Sequence, residues 1–450
     1  MKKILLLLVV ITIFVYSQDY DQIISKAYLN DYGYQFLQQV CDRFGGRLMG
    51  NKNNFDAFDF LAKDFENNKI EYKIEYFDAP SYIRDEENVE IVYPFKRKLK
   101  IATIGYSKPI DKTTAEVVLL KTLKDTLQFG NKILLYVKSE FLDKELPLKY
   151  ELCKILNRNK ALGLLVANDN TGYTNLVSTG DFKGRELDLP VFTITNEDAQ
   201  ILTRQVNNSL RPVVSIFNKS FTKIQQVPNI VASYKGKSKD KIVLISHFDS
   251  WDLGQGAIDN GIGSANLYHI LRVFYEVKPK INYSIDFVFV NGEELGLFGS
   301  KAYYEKHKNE NLVACINMDM VGSPYGFNVM GYDSLKTLIE QFNNLLKGFN
   351  LNKVISHPWL NSDHMPFMIN GIPSITPLSK LDEFKIQYYH DYTDTFEKVN
   401  KKAISDAGAV IGSLLYHLAI RNDLEQYKLD KSQTNKMLEK FNLLKQLENE

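Results

Sequence analysis

The chain has 450 residues, of which 44% are hydrophobic, 12% aromatic and 24% charged. This composition is typical of a globular protein with a large core, and it excludes disordered, collagen-like and disulfide-stapled chains. The 55 Lys and Arg residues balance the 54 Asp and Glu residues, so a net charge of +1 offers no excess of positive charge for binding nucleic acid. At roughly 150 residues per domain, the length predicts two large or three smaller domains.

The first residues have the pattern of a secretory signal peptide. Met1-Lys2-Lys3 precedes the apolar stretch Ile4–Val15, and Ser17 offers a small side chain at a cleavage position. Because the stretch is shorter than the ~20 residues of a membrane-spanning helix, we expect cleavage after Ser17; an uncleaved anchor is the alternative. The mature protein is then secreted or extracytoplasmic, in a periplasm, outside the cell or in a lysosome-like lumen, without a stable membrane span.

The predicted elements alternate between helices and strands along most of the chain. Residues 31–77 predict helices and then an alternating strand, and a second helix–strand series runs from about 115 to 223. From about residue 227, nearly continuous apolar strands alternate with helices. We therefore predict an α/β fold with a mixed, mostly parallel central sheet and helices on both faces. Ligand sites of such sheets lie beyond the C-terminal ends of the strands.

Residues with metal-ligand chemistry follow these apolar strands. They are His247 and Asp249 after KIVLIS, Asp259 in GQGAIDNGIG, Glu293 and Glu294 after IDFVFV, Asp319 after VACIN, and His390 in YYHDYTDT. Two zinc ions that share a bridging carboxylate require two histidines and three carboxylates. Five of the residues supply that set: His247, Asp259, Asp319, Glu294 and His390.

The two remaining carboxylates have separate predicted roles. Glu293 is free to act as general base on a water between the metals. Asp249, two residues after His247, is positioned to accept a hydrogen bond from its second ring nitrogen.

Each of these residues also has a structural interpretation when it is taken alone. A single histidine is more often a core or surface residue, a Glu-Glu pair is usually solvated, and Asp259 would equally cap the helix that starts near Gly263. Their shared position after apolar strands favours a metal site. The histidines interpreted as structural are His269, His307, His357 and His417.

Several other catalytic patterns do not occur in the sequence. It has neither the G-x-S-x-G elbow of many serine hydrolases nor the H-E-x-x-H helix of single-zinc proteases. Cys41, Cys153 and Cys315 show no CxxC spacing, so we expect buried or single free thiols.

The motifs HFDSWDLGQGAIDNGIG, NGEELGLFGS, INMDM, SDHMPF and YYHDYTDT resemble those of co-catalytic di-zinc exopeptidases. That family includes bacterial leucyl aminopeptidase, carboxypeptidase Q and glutamate carboxypeptidase. The resemblance covers most of residues 28–420 and is strongest to carboxypeptidase Q-like members. CDRFGGRLMGN is similar to the family's N-terminal segment, and residues from about 106 to 225 resemble an inserted protease-associated domain.

The resemblance implies two Zn²⁺ ions per chain, although cobalt or manganese would also suit these ligands in vitro. It implies His247 and Asp319 on one ion, Glu294 and His390 on the other, and Asp259 bridging them. A metal-bridging hydroxide would be the nucleophile and Glu293 the general base. Asp249 would orient His247. A homodimer is also implied.

The resemblance further implies a division of the chain. The expected segments are a signal peptide at 1–17, the first peptidase part at 18–105, the protease-associated α/β cap at 106–225, the second peptidase part with the metal site at 226–422, and a C-terminal helix or tail at 423–450.

Two features depart from the carboxypeptidase Q pattern. Those chains usually carry Asp-Asp where this chain has Asp259-Asn260, so the bridging position is kept and the local charge differs. NSDHMPF is more similar to the aminopeptidase branch. His364 in this motif is therefore a candidate for substrate contact, with a structural turn histidine as the alternative.

The expected function is a secreted di-zinc metallo-exopeptidase that hydrolyses dipeptides or short peptides with free N-termini. A carboxypeptidase-type exopeptidase, a glutaminyl cyclase and a catalytically inactive receptor-like ectodomain are the alternatives. Asn260 argues against the cyclase, which typically has Ser there, and the complete ligand set argues against the inactive ectodomain.

Overall fold

The computed structural model describes residues 19–380 and 387–449, which form two eight-stranded sheets and their helices. The predicted signal peptide, residues 1–17, lies outside the described residues. The α-helices are α1 (19–29), α2 (Tyr32–Arg43), α3 (Lys52–Asn67), α4 (Lys149–Arg158), α5 (Asn196–Asn207), α6 (Ile262–Val277), α7 (Glu293–Gly296), α8 (Phe298–His307), α9 (Lys336–Leu345), α10 (Met365–Met368), α11 (Lys401–Ala419), α12 (Lys431–Lys440) and α13 (Leu444–Asn449). Short 3-10 helices cover Lys138–Glu140, Asp333–Leu335, Lys347–Phe349, Phe396–Lys398 and Leu424–Tyr427.

The strands divide between the two sheets. They are β1 (Tyr72–Ile83), β2 (Glu87–Tyr93), β3 (Arg97–Lys98), β4 (Ile101–Thr103), β5 (Ile110–Leu119), β6 (Ile133–Tyr136), β7 (Gly163–Ala167), β8 (Val191–Ile194), β9 (Val213–Asn218), β10 (Phe221–Tyr234), β11 (Lys241–His247), β12 (Ser284–Val290), β13 (Leu312–Asn317), β14 (Ser323–Asn328), β15 (Lys353–Ile355) and β16 (Ser374–Lys380).

The first sheet has the order β1-β10-β12-β11-β13-β16-β14-β15. Its centre, β12-β11-β13-β16, is parallel, and antiparallel pairs flank that centre. The C-terminal ends of the four central strands therefore lie at one edge. This arrangement confirms the predicted α/β class with a mixed, mostly parallel central sheet.

Apolar side chains alternate between the two faces of this sheet. On β11, Ile242 and Leu244 pack into the core formed with α2, α6 and α11, whereas Val243 and Ile245 face Tyr303 of α8. Fully burying one such side chain contributes roughly 1.5–3 kcal/mol, so covering both faces strongly favours this arrangement. The continuous apolar pattern of the strand is explained by this two-sided burial.

The second sheet has the order β3-β2-β9-β5-β6-β7-β8-β4, with β5, β6, β7 and β8 parallel. Helices α5 and α4 cover its opposite faces through two separate apolar clusters. The helix α5 begins after Thr195, whose side chain accepts a hydrogen bond from the amide of Asp198. The predicted strand–turn–helix series of this region is therefore present.

The second sheet is inserted between two neighbouring strands of the first. Strands β1 and β10 pair in antiparallel register from Tyr72 opposite Ala232 to Ile83 opposite Phe221. The chain leaves the first sheet after Ile83 and enters the second at Glu87, so the sheet changes earlier than the predicted boundary at residue 106. The division into a split peptidase domain and a cap remains a prediction, and we move this boundary to between residues 83 and 87.

The C-terminal segment predicted as a helix or tail contains α12 and α13. An Asp430–Gln433 capping box begins α12, and Met437 and Leu438 are buried against the main core. In the described part of the chain, no helix is both long enough and apolar enough to span a bilayer. All three cysteines are buried free thiols, as expected.

Candidate metal centre

The predicted metal ligands come together at the C-terminal edge of the parallel strands. His247 ends β11, and Asp259 lies in the irregular turn before α6. Glu293 and Glu294 begin α7 after β12, and Asp319 follows β13. His390 lies in a turn before the 3-10 helix Phe396–Lys398. Nitrogen and oxygen donors of these residues lie within 4.8 Å of one another in two groups, one with His247, Glu293 and Asp319, the other with His247, Asp259 and Glu294.

Asp259 lies between the two histidines. Its Oδ1 is 3.3 Å from His247 Nε2, and its Oδ2 is 2.9 Å from His390 Nε2. Each oxygen of this carboxylate therefore faces a different imidazole, which is the geometry that a bridging ligand requires.

Each histidine has a second carboxylate partner. His247 Nε2 is 3.4 Å from Asp319 Oδ1, and His390 Nε2 is 2.9 Å from Glu294 Oε2. Tetrahedral zinc with bonds of 2.0–2.2 Å separates its ligand atoms by roughly 3.3 Å. The two contacts of His247, at 3.3 and 3.4 Å, have this spacing, whereas the two contacts of His390, both at 2.9 Å, are shorter and lie at hydrogen-bond distance.

The buried surroundings of these nitrogen and oxygen donors also favour the binding of cations. Glu294 Oε1 is buried and has no hydrogen-bond partner among the described residues. His247, Asp259 and Glu294 are all buried. Buried carboxylates are strongly disfavoured without a counter-charge, so two divalent ions would balance the acidic groups gathered here.

The tautomer of His247 is fixed differently from the prediction. Its Nδ1 is 3.2 Å from the backbone oxygen of Asp249, whereas the nearest carboxylate oxygen of Asp249 is 3.7 Å away. The Asp249 carboxylate instead accepts from the amides of Glu293 and Glu294, at 3.3 and 3.4 Å. Asp249 therefore orients His247 through its main chain, and its side chain holds the start of α7.

The tautomer of His390 is fixed by a residue between strands β7 and β8 of the second sheet. His390 Nδ1 is 2.9 Å from the backbone oxygen of Val177, which leaves Nε2 facing Asp259 and Glu294. This contact could not be predicted from the sequence, because a backbone carbonyl leaves no pattern of side chains.

Glu293 lies at the partly exposed rim of the cluster, in one group with His247 and Asp319. Burial raises the pKa of Glu293 well above its usual value; the charge of His247 opposes this shift, and that of Asp319 adds to it. A carboxylate with a raised pKa is suited to accept and return a proton.

Asp394 supports the turn that carries Asp259. Its Oδ1 accepts from the amides of Ala257 and Ile258 at 3.0 and 2.7 Å, and its Oδ2 accepts from the Asp259 amide at 3.0 Å. Asp394, four residues after His390 in the YYHDYTDT motif, thus holds the backbone that carries Asp259.

Arg47, in the N-terminal motif CDRFGGRLMGN, supports the same turn from the other side. The side chain is fully buried and donates to backbone oxygens of Phe248, Gln255 and Gly256 at 2.9, 2.7 and 3.1 Å. Sequence reasoning found the motif without assigning a role to Arg47.

Asn260 has a structural reason for departing from Asp. Its Nδ2 donates to Ser246 Oγ and to the Met318 backbone oxygen at 3.0 and 2.9 Å, and its Oδ1 accepts from the amides of Gly263 and Met320 at 3.0 and 2.9 Å. An ionised aspartate has no proton to donate to these two oxygens, so the amide ties the turn to both β11 and β13.

The structure does not bring His364 to the metal centre as a substrate-contacting group. The ring is fully buried; Nε2 is 2.9 Å from the Trp359 backbone oxygen, and Nδ1 is 3.4 Å from Asn317 Nδ2. Burial lowers the pKa of His364 to about 4, so the ring is neutral. These contacts favour the structural turn histidine, the alternative to substrate contact, and the substrate role of His364 stays a prediction.

One cavity adjoins a proposed ligand, and a second lies in the second sheet beside the turn that carries His390. The smaller, of about 170 Å³, is lined by Asn317, Asp319, Met320, Trp359, Ser362, Thr376 and Pro377. The larger, of about 750 Å³, lies between the C-terminal ends of β6, β7 and β8 and residues Gln387 and Tyr389 of the His390 loop. Of these two cavities, the smaller includes the proposed ligand Asp319 in its lining, and the larger includes none of the proposed ligands.

Comparisons with known proteins agree with this geometry. The profile of peptidase family M28 matches residues 229–415. Carboxypeptidase Q of Bos taurus is 26% identical over 411 residues, which are 87% of this chain and 86% of the relative. A peptidase M28 precursor from Shewanella amazonensis has a similar fold, with a TM-score of 0.78 and 21% identity over 91% of this chain and 97% of that chain. A zinc aminopeptidase from Bacillus subtilis is similar with a TM-score of 0.69 and 22% identity over 89% of this chain and 97% of its own.

Proposed function

We propose that this chain, whose residues 229–415 match the profile of peptidase family M28, is a di-zinc exopeptidase acting on dipeptides or short peptides with free N-termini. The carboxylate of Asp259, with one oxygen toward each of two histidines, is the observation that carries the proposal. The name of the Bacillus subtilis structure supports zinc and an aminopeptidase reaction.

The proposed ligands follow the two halves of the site. His247 and Asp319 would hold one zinc, His390 and Glu294 the other, and Asp259 both. When bound, zinc supplies Lewis acidity that polarises a peptide carbonyl and lowers the pKa of water.

Glu293 moves the protons of the reaction. We assign it the role of taking a proton from the attacking water and delivering it to the nitrogen of the departing amine. Its raised pKa supports both transfers, because a glutamate with a pKa above its usual value holds the accepted proton more readily until it is passed on. Asp249 holds the amide of Glu293 and thereby the start of α7.

The smaller cavity supports a pocket for the side chain beside the scissile bond. It touches the proposed ligand Asp319 and includes the apolar walls of Met320 and Trp359. Its size suits one side chain rather than a large ligand.

Two further assignments rest on the sequence pattern and the resemblance. We propose that the chain is exported and cut after Ser17, since a short basic region, an apolar stretch and a small residue occur in that order. We also retain a homodimer as a proposal.

A carboxypeptidase-type reaction is the second candidate, because carboxypeptidase Q is a relative by sequence over 87% of this chain. The test is a panel of dipeptides and aminoacyl amides with free or blocked termini, assayed before and after chelation. We expect hydrolysis of substrates with free N-termini, loss on chelation and recovery with zinc. Hydrolysis of N-blocked peptides with a free carboxylate would instead establish the second candidate, and turnover unaffected by chelation would exclude both.

A further inference from the structure

We propose that the second sheet's body, residues 87–218, positions a proposed zinc ligand: its segment Asn175–Val177, together with Asp391, holds His390 so that Nε2 faces Asp259. This inference rests on the proposed function, because it concerns the zinc position assigned to His390 and Glu294. It gives residues 87–218 a role in the metal site itself.

The first observation is a reciprocal pair of hydrogen bonds between the two bodies. His390 Nδ1 is 2.9 Å from the Val177 backbone oxygen, and the Val177 amide donates to the His390 backbone oxygen at 3.1 Å. The ring and the main chain of one residue are thus held by the main chain of another. Partners of this kind fix the tautomer and orientation of a metal-binding imidazole.

The second observation is the backbone of His390, which has a φ of +58°. Residues other than glycine rarely adopt this left-handed conformation, and it persists where surrounding contacts enforce it. The Val177 contacts supply such enforcement at the proposed ligand.

The third observation is the buried carboxylate of Asp391. Its Oδ2 accepts from the Asn175 amide at 2.6 Å, and its Oδ1 accepts from the amide and hydroxyl of Thr393 at 2.9 and 2.6 Å. Lys100 Nζ, also in the second sheet's body, is 3.6 Å from Oδ2. Asp391 therefore joins the loop that carries His390 to the segment that orients its ring.

Asp391 is a positioning residue in this arrangement, since its side chain acts through the loop that it holds. Without its carboxylate, the loop loses its link to Asn175, and the contacts that hold His390 in its left-handed conformation weaken. The half of the site formed by His247 and Asp319 has no part in these bonds. We therefore expect one zinc position to weaken and the other to stay.

The test compares Asp391→Ala with Asp143→Ala in the full-length chain. Asp143 is a matched control, since it also accepts from a backbone amide and a threonine hydroxyl, those of Leu123 and Thr122, within the second sheet's body. Zinc affinities are measured by competition with a chelator. Amide exchange of residues 173–180 is measured with and without zinc.

In Asp391→Ala we expect one of two zinc ions to bind roughly 10–100-fold more weakly, as for other changes in residues that orient metal ligands. Amides of residues 175 and 177 should also exchange faster, even without zinc. Asp143→Ala should match the wild type in both measurements. Asp391→Asn keeps one oxygen acceptor and the side-chain volume, so it should show a smaller loss in the same direction; it decides the question if the alanine variant does not fold.

Two zinc affinities that stay at wild-type values in a folded Asp391 variant, or unchanged exchange at residues 175 and 177, would overturn the inference. A wild-type chain that binds fewer than two zinc ions would instead contradict the proposed function. The exchange measurement without zinc still tests the contact in that case, so the two failures are distinguishable.

Discussion

At the scale of single residues, adjacent carboxylates carry different proposed roles. Glu294 faces His390 at 2.9 Å, whereas Glu293 lies at the rim with His247 and Asp319. Neighbouring residues at the start of a short helix point in different directions. Glu294 therefore faces His390 and its proposed metal position, and Glu293 faces His247 and Asp319.

Glu293→Gln removes the proton acceptor and preserves the side-chain volume. We expect kcat to fall roughly 10²–10⁴-fold, the usual contribution of a general base, while zinc content stays at the wild-type value. Steady-state kinetics and metal analysis of the same preparation measure the two effects. A variant with wild-type kcat would remove Glu293 from the mechanism.

Asp249→Asn tests whether the buried carboxylate of Asp249 supports the start of α7 or orients His247. Since the side chain accepts from the amides of Glu293 and Glu294, and His247 is held by the backbone, we expect kcat to fall about 10-fold with little change in zinc affinity. Chelator competition and kinetics provide the comparison. A loss of zinc affinity larger than the loss of kcat would instead assign the carboxylate to His247.

At the scale of elements, the turn before α6 is held from two sides. Asp394 binds three of its amides, and the buried Arg47 binds carbonyl oxygens that flank it. The position of Asp259 therefore depends on segments that are far apart in the chain.

Arg47→Met leaves several buried carbonyl oxygens without donors. We expect a loss of roughly 3 kcal/mol or more in the free energy of unfolding, since each unsatisfied buried group costs about 1–3 kcal/mol. Zinc occupancy should fall with it. Urea denaturation is the measurement, and Arg43→Met, at an exposed position of α2, is the control that should change little.

A second link between elements joins strand β1 to the end of α8. His307 lies 2.7 Å from Glu310 and 3.1 Å from Glu75. Burial alone lowers the pKa of His307, but the hydrogen bonds and charges of the two glutamates outweigh it and raise the pKa above its usual value.

The raised pKa of His307 makes the stability of the folded protein depend on pH. Because the folded pKa exceeds the unfolded value of about 6.5, the stabilisation is complete below pH 6.5 and is lost as the pH rises through the folded pKa. We expect His307→Gln to destabilise the protein by roughly 1.5–3 kcal/mol at pH 6 and by less at pH 9. Urea denaturation at both values measures this, with the exposed His357→Gln as control; an equal loss at both would contradict it.

At the scale of the whole molecule, the sequence predicted the parallel sheet and the residues at its edge. Continuous apolar strands and polar residues after them are local signals, so β11, β12 and β13 and the side chains that follow were found. Partnerships across the fold left no local signal. The Val177 carbonyl beside His390 belongs to this class.

Two features of the structure could not be predicted from local sequence: where the second sheet begins and which way the ring of His364 faces. The boundary at residue 106 was implied by the resemblance to a protease-associated domain, whereas the chain enters the second sheet at Glu87, through β2. His364 occurs in a motif beside the site, but its ring is turned into the protein and bonded to Trp359. Burial and side-chain direction are set by tertiary packing, which motif spacing does not encode.

The central proposal is that Asp259 joins two zinc positions. Anomalous scattering at the zinc edge from crystals of the zinc-loaded protein tests it most directly. We predict two peaks, one against His247 and Asp319 and one against His390 and Glu294, both in contact with Asp259. A single peak, or peaks that do not share Asp259, would contradict a di-zinc site.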